Sequence, residues 1–377
     1  MPTHRIKAGA LAVGHVLEND AYDENGRLLL SKGYVIASAT QIEALISRGL
    51  FIDPDKEALK APKREQDPLL TSAVSLILDA RRHLQLICAP TSSRESFPQH
   101  VAHIRNLIKQ ACAISEDAAI ATALLERQGR YSIRHSLDAA ITCEIVGETV
   151  GVNESELTST ICAALTMNIS VLQLQDELQT QKGKLTEPQR ELIQAHPSAS
   201  VAHLRERGVT DEIWLNAVRD HHEAADGSGY PSAKKENEIS LPAQLVALAD
   251  VYCARISGRQ YRSALRPNAA LRALFLDQGK KVRTGVANQF IKAIGIFPAG
   301  TPVRLENGEI AIVTSRGPGP KTPVVCAVIG PRGMPLAIPS KRDTTNAAFG
   351  VREVIDWTEL GAVPSMQSLW GKIAAVA

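Results

Sequence analysis

Aromatic residues are scarce in this chain: three Trp, six Tyr and six Phe amount to 4% of 377 residues. Strands draw heavily on aromatic and β-branched side chains, so the scarcity argues against an all-β architecture and, with abundant Ala and Leu, favours helices. Charge of one sign is lacking as well. Forty-two basic against 40 acidic side chains leave a formal charge of +2, which gives no electrostatic basis for gripping a nucleic-acid polymer or an anionic membrane. The six cysteines are scattered, with no CxxC pair, and the opening MPTHRIKAGALAVGHVLEND has no long apolar core of the kind a secretory leader needs. A reduced, cytoplasmic setting is the simpler expectation. The nearest approach to a membrane span is residues 157–175, uncharged but rich in Thr, Ser, Asn and Gln. That content favours a buried helix over membrane insertion.

What is present is enough for a sizeable core. Hydrophobic residues make 44% of the chain and charged ones 22%, and at about 150 residues per domain the length suits two or three domains. Residues 1–58 read as a small α/β unit: a short strand near Leu17, a turn at Asp23-Glu24-Asn25-Gly26, an apolar run Leu28-Leu29-Leu30, and a helix from Thr40. Charged, Pro-punctuated residues 53–68 suit a linker. Helical periodicity dominates from 69 to about 295, interrupted by a Pro/Ser/Thr loop at 89–98. Beyond Phe297-Pro298, the segment TPVRLENGEIAIVT alternates about an Asn307-Gly308 turn and PVVCAVI is β-rich, which marks a separate β unit. The expected division is therefore an N-terminal α/β unit (1–58), a linker and helical region (59–130), an all-helical domain (131–296) and a small C-terminal β-rich unit (297–377). The fold class is mainly α, and no internal repeat is evident.

Ten histidines raise the question of whether some converge. The segment DHHEAADGSGYP at 220–231 sets His221 and His222 at the end of a helix over 212–221 that Asp211 would cap. Neighbours on a helix point about 100° apart, so both can serve one pocket only at the helix end. An HH pair alone is more often a solvated helix terminus whose charge suits the dipole. Its company shifts the balance. His135 lies in a helix whose apolar face is Ile133, Leu137, Ile141 and Ile145. His196 ends a helix opened by the capping-box pair Thr186 and Gln189, with Pro197 following. Asp250 sits in an otherwise apolar helix, LPAQLVALADVYCARIS, where a carboxylate is costly unless paired or metal-bound. Four imidazoles and a buried carboxylate suit a borderline metal such as Fe, Mn or Zn. His100 and His103, at i and i+3, have no third ligand nearby in sequence and read as an exposed helix face.

HHEAADGSGYP closely resembles the HHExxDGxGYP signature of HD-GYP domains, bacterial proteins associated with hydrolysis of cyclic di-GMP. The likeness runs from about 131 to 295, including the spacing to Leu248-Ala249-Asp250 and the following Gly258-Arg259-Gln260-Tyr261-Arg262. It implies a helical bundle in which His135, His196, His221, His222 and Asp250 hold divalent metal, iron or manganese foremost. It implies further that Arg259 and Arg262 face substrate phosphates, as guanidinium forks can. Gly227, Gly229, Tyr230 and Pro231 would form the loop that shapes the substrate side and can contact diguanylate cyclases or other signalling partners.

The departures bear on activity. Where the family carries its His-Asp pair this chain reads Met167-Asn168, with Val171 for the usual Lys, Tyr131 where some members offer a Glu, and Cys253 for a second Asp. In the family that Asp bridges two metals. Two divalent ions held close together repel strongly without an anion between them, and a neutral amide supplies none; a thioether is a poor ligand for iron or manganese. The expectation is one ion or none. Two functions stay open: a degenerate phosphodiesterase that acts in cyclic di-GMP signalling by binding nucleotide or partner, or an active metal-dependent phosphodiesterase releasing the linear dinucleotide or GMP.

Overall fold

Capping residues along this chain dictate where its helices begin, and the computed structural model follows them. The structure describes residues 4–5, 17, 21–22, 28–30, 36, 42, 51–52, 72–89, 96–258, 264–278, 283, 285–361 and 363–376. Asn153 accepts from the Glu156 amide at 2.9 Å to open α4 (Glu154–Thr166). Thr186 and Gln189 exchange bonds of 3.4 and 3.0 Å in a full capping box at the start of α6 (Glu187–Glu206). Asp211 accepts from the amides of Ile213 and Trp214 at 2.9 and 3.1 Å to open α7 (Glu212–Asp220).

The chain divides into two compact units, one of residues Ala73–Pro298 and one built from both termini, Met1–Ser72 with Ala299–Ala377. This division does not follow the four expected segments, because the terminal strands share a unit through contacts remote in sequence. The first unit is helical: α1 (Ala73–Ile87), α2 (Phe97–Leu125), α3 (Tyr131–Val150), α4, α5 (Leu172–Thr180), α6, α7, α8 (Leu241–Ser257), α9 (Pro267–Leu276) and α10 (Val286–Ile294). The mainly α fold is as expected. At its centre α3 touches α1, α2, α4, α5, α8 and α10. Such encirclement buries a helix on nearly every side, and here it buries polar residues too: Ser132, His135, Ser136, Asp138 and Thr142. Among the described residues no helix is long and apolar enough to cross a membrane.

The terminal unit carries two antiparallel sheets. Strands β1 (His4–Arg5), β2 (Ala21–Tyr22), β3 (Leu28–Leu30) and β4 (Phe51–Ile52) run in the order β1-β4-β2-β3. Strands β5 (Pro302–Leu305), β6 (Ile310–Ser315), β7 (Val324–Ile329), β8 (Pro335–Asp343) and β9 (Val351–Val354) run in the order β8-β7-β6-β5-β9. The Asn307-Gly308 turn joins β5 to β6, with Gly308 at φ +86, a value glycine adopts without the Cβ penalty. β3 lies against β8 within the unit. Of the N-terminal expectations, the apolar run at 28–30 forms β3, and Leu17 is buried without being in a strand. The helix from Thr40, apart from helical Ile42, and the linker at 53–68 lie outside the described residues.

Candidate metal centre

His196 was expected to end its helix because proline follows. Instead α6 continues through Pro197 to Glu206. Proline has no N–H, so the bond that residue 197 would make to the carbonyl of Ile193 cannot form. His196 Nδ1 takes that carbonyl at 2.5 Å. A carbonyl can only accept, so Nδ1 carries the proton and Nε2 is left with a lone pair. The hydroxyl of Ser170 donates to the His196 backbone carbonyl at 3.2 Å and pairs with Ser200 Oγ at 2.9 Å, which ties this helix to the turn after α4.

His221 caps the C-terminus of α7, where the last carbonyls of a helix have no intrahelical partner. Its Nδ1 donates to one of them, Val218, at 2.6 Å. Two interruptions, a proline and a helix end, thus set two imidazoles in the same tautomer. α7 is itself docked on α4 by Ser159 donating to Asp211 at 2.6 Å and Trp214 Nε1 donating to Thr166 Oγ1 at 2.8 Å. The outcome is that His196 Nε2 and His221 Nε2 face each other at 3.2 Å, and His222 completes a cluster whose ligand atoms all lie within 4.8 Å of one another.

Burial, reinforced by the neighbouring His222, pushes His196 down to about 4 against the opposing pull of Ile193 and Asp250. Burial also holds His221 well below its ordinary value and lowers His222. Near neutral pH these imidazoles are uncharged. Two lone pairs then confront each other with no proton between them, an arrangement that repels unless a cation accepts both. Metal–nitrogen bonds of about 2.1 Å at angles of 90–110° put ligand nitrogens about 3.0–3.4 Å apart, which matches the observed separation. The donor set fits one borderline divalent ion.

His135 and Asp250 stand beside this cluster as a pair. His135 Nε2 bonds Asp250 Oδ1 at 2.7 Å, joining α3 to α8, and Tyr131 stacks on the His135 ring with centroids 5.4 Å apart. Burial raises the carboxyl, but the hydrogen bond from His135, aided by the surrounding imidazoles, outweighs it and holds Asp250 well below the usual carboxylate range. Asp250 in turn works against the lowering of His196, His221 and His222.

The motif's remaining residues build the loop. Glu223, which sequence reasoning assigned no role, is buried and accepts from the amides of Ser232 and Lys234 at 2.6 and 2.9 Å. Asp226 accepts from the Ser228 amide and hydroxyl at 2.9 and 2.6 Å. Behind them, buried Asp220 pairs with Lys234 at 2.7 Å and Arg219 at 3.0 Å. Gly229 is a close approach: a Cβ there would overlap the backbone of Glu223 and Ala224. Tyr230 is thereby laid on His222, rings stacked at 4.8 Å and 27°, with a cis bond to Pro231. Between this loop, α8 and α9 lies a cavity of about 270 Å³ that His221, His222, Gly229 and Tyr230 help to line.

At the positions where the sequence departs from the family pattern the side chains are uncharged. Met167 is fully buried, and Asn168 is buried with Nδ2 unpartnered among the described residues. Cys253 faces Thr142 Oγ1 at 3.6 Å, and burial, aided by Asp138, pushes its thiol far up, so it is a neutral packing residue. His100 and His103 are exposed on α2, with His103 against His83. Arg259 and Arg262 lie outside the described residues; just before them the Gly258 carbonyl accepts from Gln179 at 3.1 Å.

A helical bundle with clustered histidines and a DGxGYP loop defines a class, and comparison with known proteins agrees. Residues 96–282 match the HD domain family. The match takes in just under half of the chain, and HHEAADGSGYP within it carries the pattern of the HD-GYP signature. It is similar to the cyclic di-GMP phosphodiesterase PA4108 of Pseudomonas aeruginosa, 26% identical over 244 residues covering 62% of this chain and 59% of the relative. It is also similar to the cyclic di-GMP phosphodiesterase PdeB of Borreliella burgdorferi, 26% identical over 63% of this chain and 64% of the relative. The chain thus spans about 60% of the length of these relatives. A solved structure described as Bd1817, an HDG"Y"P protein from Bdellovibrio bacteriovorus, aligns with a TM-score of 0.49 at 13% identity, over 77% of this chain and 98% of that one.

Proposed function

We propose that this protein binds cyclic di-GMP in the cavity beside His221 and His222, holds a single divalent metal on His196, His221 and His222, and hydrolyses the nucleotide slowly or not at all. The observation that carries this is the pair of facing Nε2 lone pairs, a site for one cation, in a chain with Met167-Asn168 where the family has its bridging pair. When bound, such an ion polarises a phosphoryl oxygen and acidifies water. The chain's own part is to hold the imidazoles neutral and oriented, to keep Asp250 ionised through His135, and to set Tyr230 against His222 at the cavity wall. On the family's pattern Arg259 and Arg262 supply phosphate contacts, and the Gly229-Tyr230-Pro231 turn offers a surface to a diguanylate cyclase or another signalling partner.

The second reading is an active phosphodiesterase that opens cyclic di-GMP to the linear dinucleotide or GMP. The cluster of His196, His221 and His222, with Asp250 held ionised by its bond to His135, favours it. Calorimetric titration of cyclic di-GMP into the iron- or manganese-loaded protein tests the binding shared by both readings. Saturable binding, weakened on Arg259→Ala, is expected; no binding by the wild type would sink the proposal.

A further inference from the structure

The same cavity carries a second polar feature that the family signature does not include. Glu236 and Arg283 both line it, Arg283 Nε donating toward Glu236 Oε1 at 3.4 Å. Among the described lining residues Arg283 is the one Arg or Lys. Glu236 is fixed to the motif loop, its amide donating to the Ala225 carbonyl at 3.1 Å. Ala247, Leu248, Val251 and Leu274 give the cavity an apolar surface on α8 and α9, where Gln244 is the polar lining residue. The two side chains are 39% and 49% exposed, and an ion pair at that exposure contributes little to stability, so its partners can turn to a ligand at small cost.

We infer that the Glu236–Arg283 pair, with its apolar wall, is a guanine-selective subsite for one base of a cyclic dinucleotide. The inference rests on the proposed function above. Guanine places the O6 acceptor beside the N1–H and N2–H donors of its Watson–Crick edge. A carboxylate accepts from the donors while the adjacent guanidinium donates to O6, and the flat face lies on the apolar wall. Adenine reverses the order, setting an amino donor at position 6 against the guanidinium and the N1 lone pair against the carboxylate, and so meets repulsion at both points. The two cyclic di-GMP phosphodiesterases similar to this chain are named for a ligand carrying two guanines.

Competition titration of the metal-loaded protein with cyclic di-GMP, 3′3′-cyclic GMP-AMP and cyclic di-AMP tests the subsite. One guanine suffices to fill it, so the first two should bind within about threefold of each other, and cyclic di-AMP should bind roughly 5- to 150-fold more weakly, the span of a bidentate base contact. Glu236→Gln, which exchanges one acceptor for a donor, should reduce the guanine preference to under about threefold, and Arg283→Ala should weaken cyclic di-GMP while leaving cyclic di-AMP unchanged. Both positions are at the surface, and unaltered thermal unfolding would show that the variants fold. Equal binding of all three nucleotides by the wild type, or a preference untouched by Glu236→Gln, would overturn the subsite and leave cyclic dinucleotide binding standing. Failure of the wild type to bind any of the three would overturn both.

Discussion

The two halves of the site have met different fates. On the side of α6, α7 and the 220–235 loop the side chains are held in place: two imidazoles are pinned by carbonyls at 2.5 and 2.6 Å, and Glu223 and Asp226 organise the turn that lays Tyr230 on His222. On the side of α4 the corresponding positions are a fully buried thioether and an amide with an unpartnered buried nitrogen. The carbonyls that hold the His196 and His221 rings are in place, whereas Met167 and Asn168 carry no charge. Outer-shell hydrogen bonds orient ligands and contribute 10- to 100-fold in affinity, and on the proposed function they serve a single ion.

Variants can sharpen this contrast or break it. The largest effect is expected from His221→Ala, which removes a central ligand: metal affinity measured by chelator competition should fall by at least about a hundredfold. Retained affinity would place the ion elsewhere. Restoring the lost half with Met167→His and Asn168→Asp should raise the metal content, measured by elemental analysis, from about one towards two per chain. No gain would mean that the α4 side has diverged beyond its two named residues.

Pro197→Ala separates orientation from packing. The new amide would compete with His196 Nδ1 for the Ile193 carbonyl, so metal affinity should drop about tenfold, while the helix, freed of an interior proline, unfolds at the same or a higher temperature. A loss of stability together with affinity would show that the proline serves packing alone. The last effect is on stability and concerns pH. His196 and His221 are depressed in the folded protein and bind protons more readily when unfolded, so the unfolded state carries the extra proton of His196 between about 6.5 and about 4, and His221 acts in the same direction. Stability of the metal-free protein should therefore fall as pH is lowered through that window, by about 1 kcal/mol per pH unit for His196 alone, and level off above it. Denaturant titrations across the window check the slope.

Much of this was legible in the residues because it is local. The capping box at Thr186, the Asp211 cap and the Asn307-Gly308 turn each involve residues within a few positions of one another, and each forms as expected. The path of α6 was misread at Pro197 because local rules end a helix there, whereas packing carries it through and the released carbonyl is taken by a side chain. The joining of the two termini, strands β8 and β9, and the roles of Glu223, Lys234, Glu236 and Arg283 depend on partners brought together only by the fold. His135 with Asp250, 115 residues apart, is the clearest case: both could be named as candidates, but only the structure shows that they bond each other while three other histidines gather about one point.

The most direct measurement is turnover of cyclic di-GMP by anaerobically purified protein supplied with iron or manganese, read beside its metal content. The account predicts about one ion per chain and bound nucleotide recovered intact. Two ions per chain with rapid release of the linear dinucleotide or GMP, abolished by His221→Ala, would contradict it.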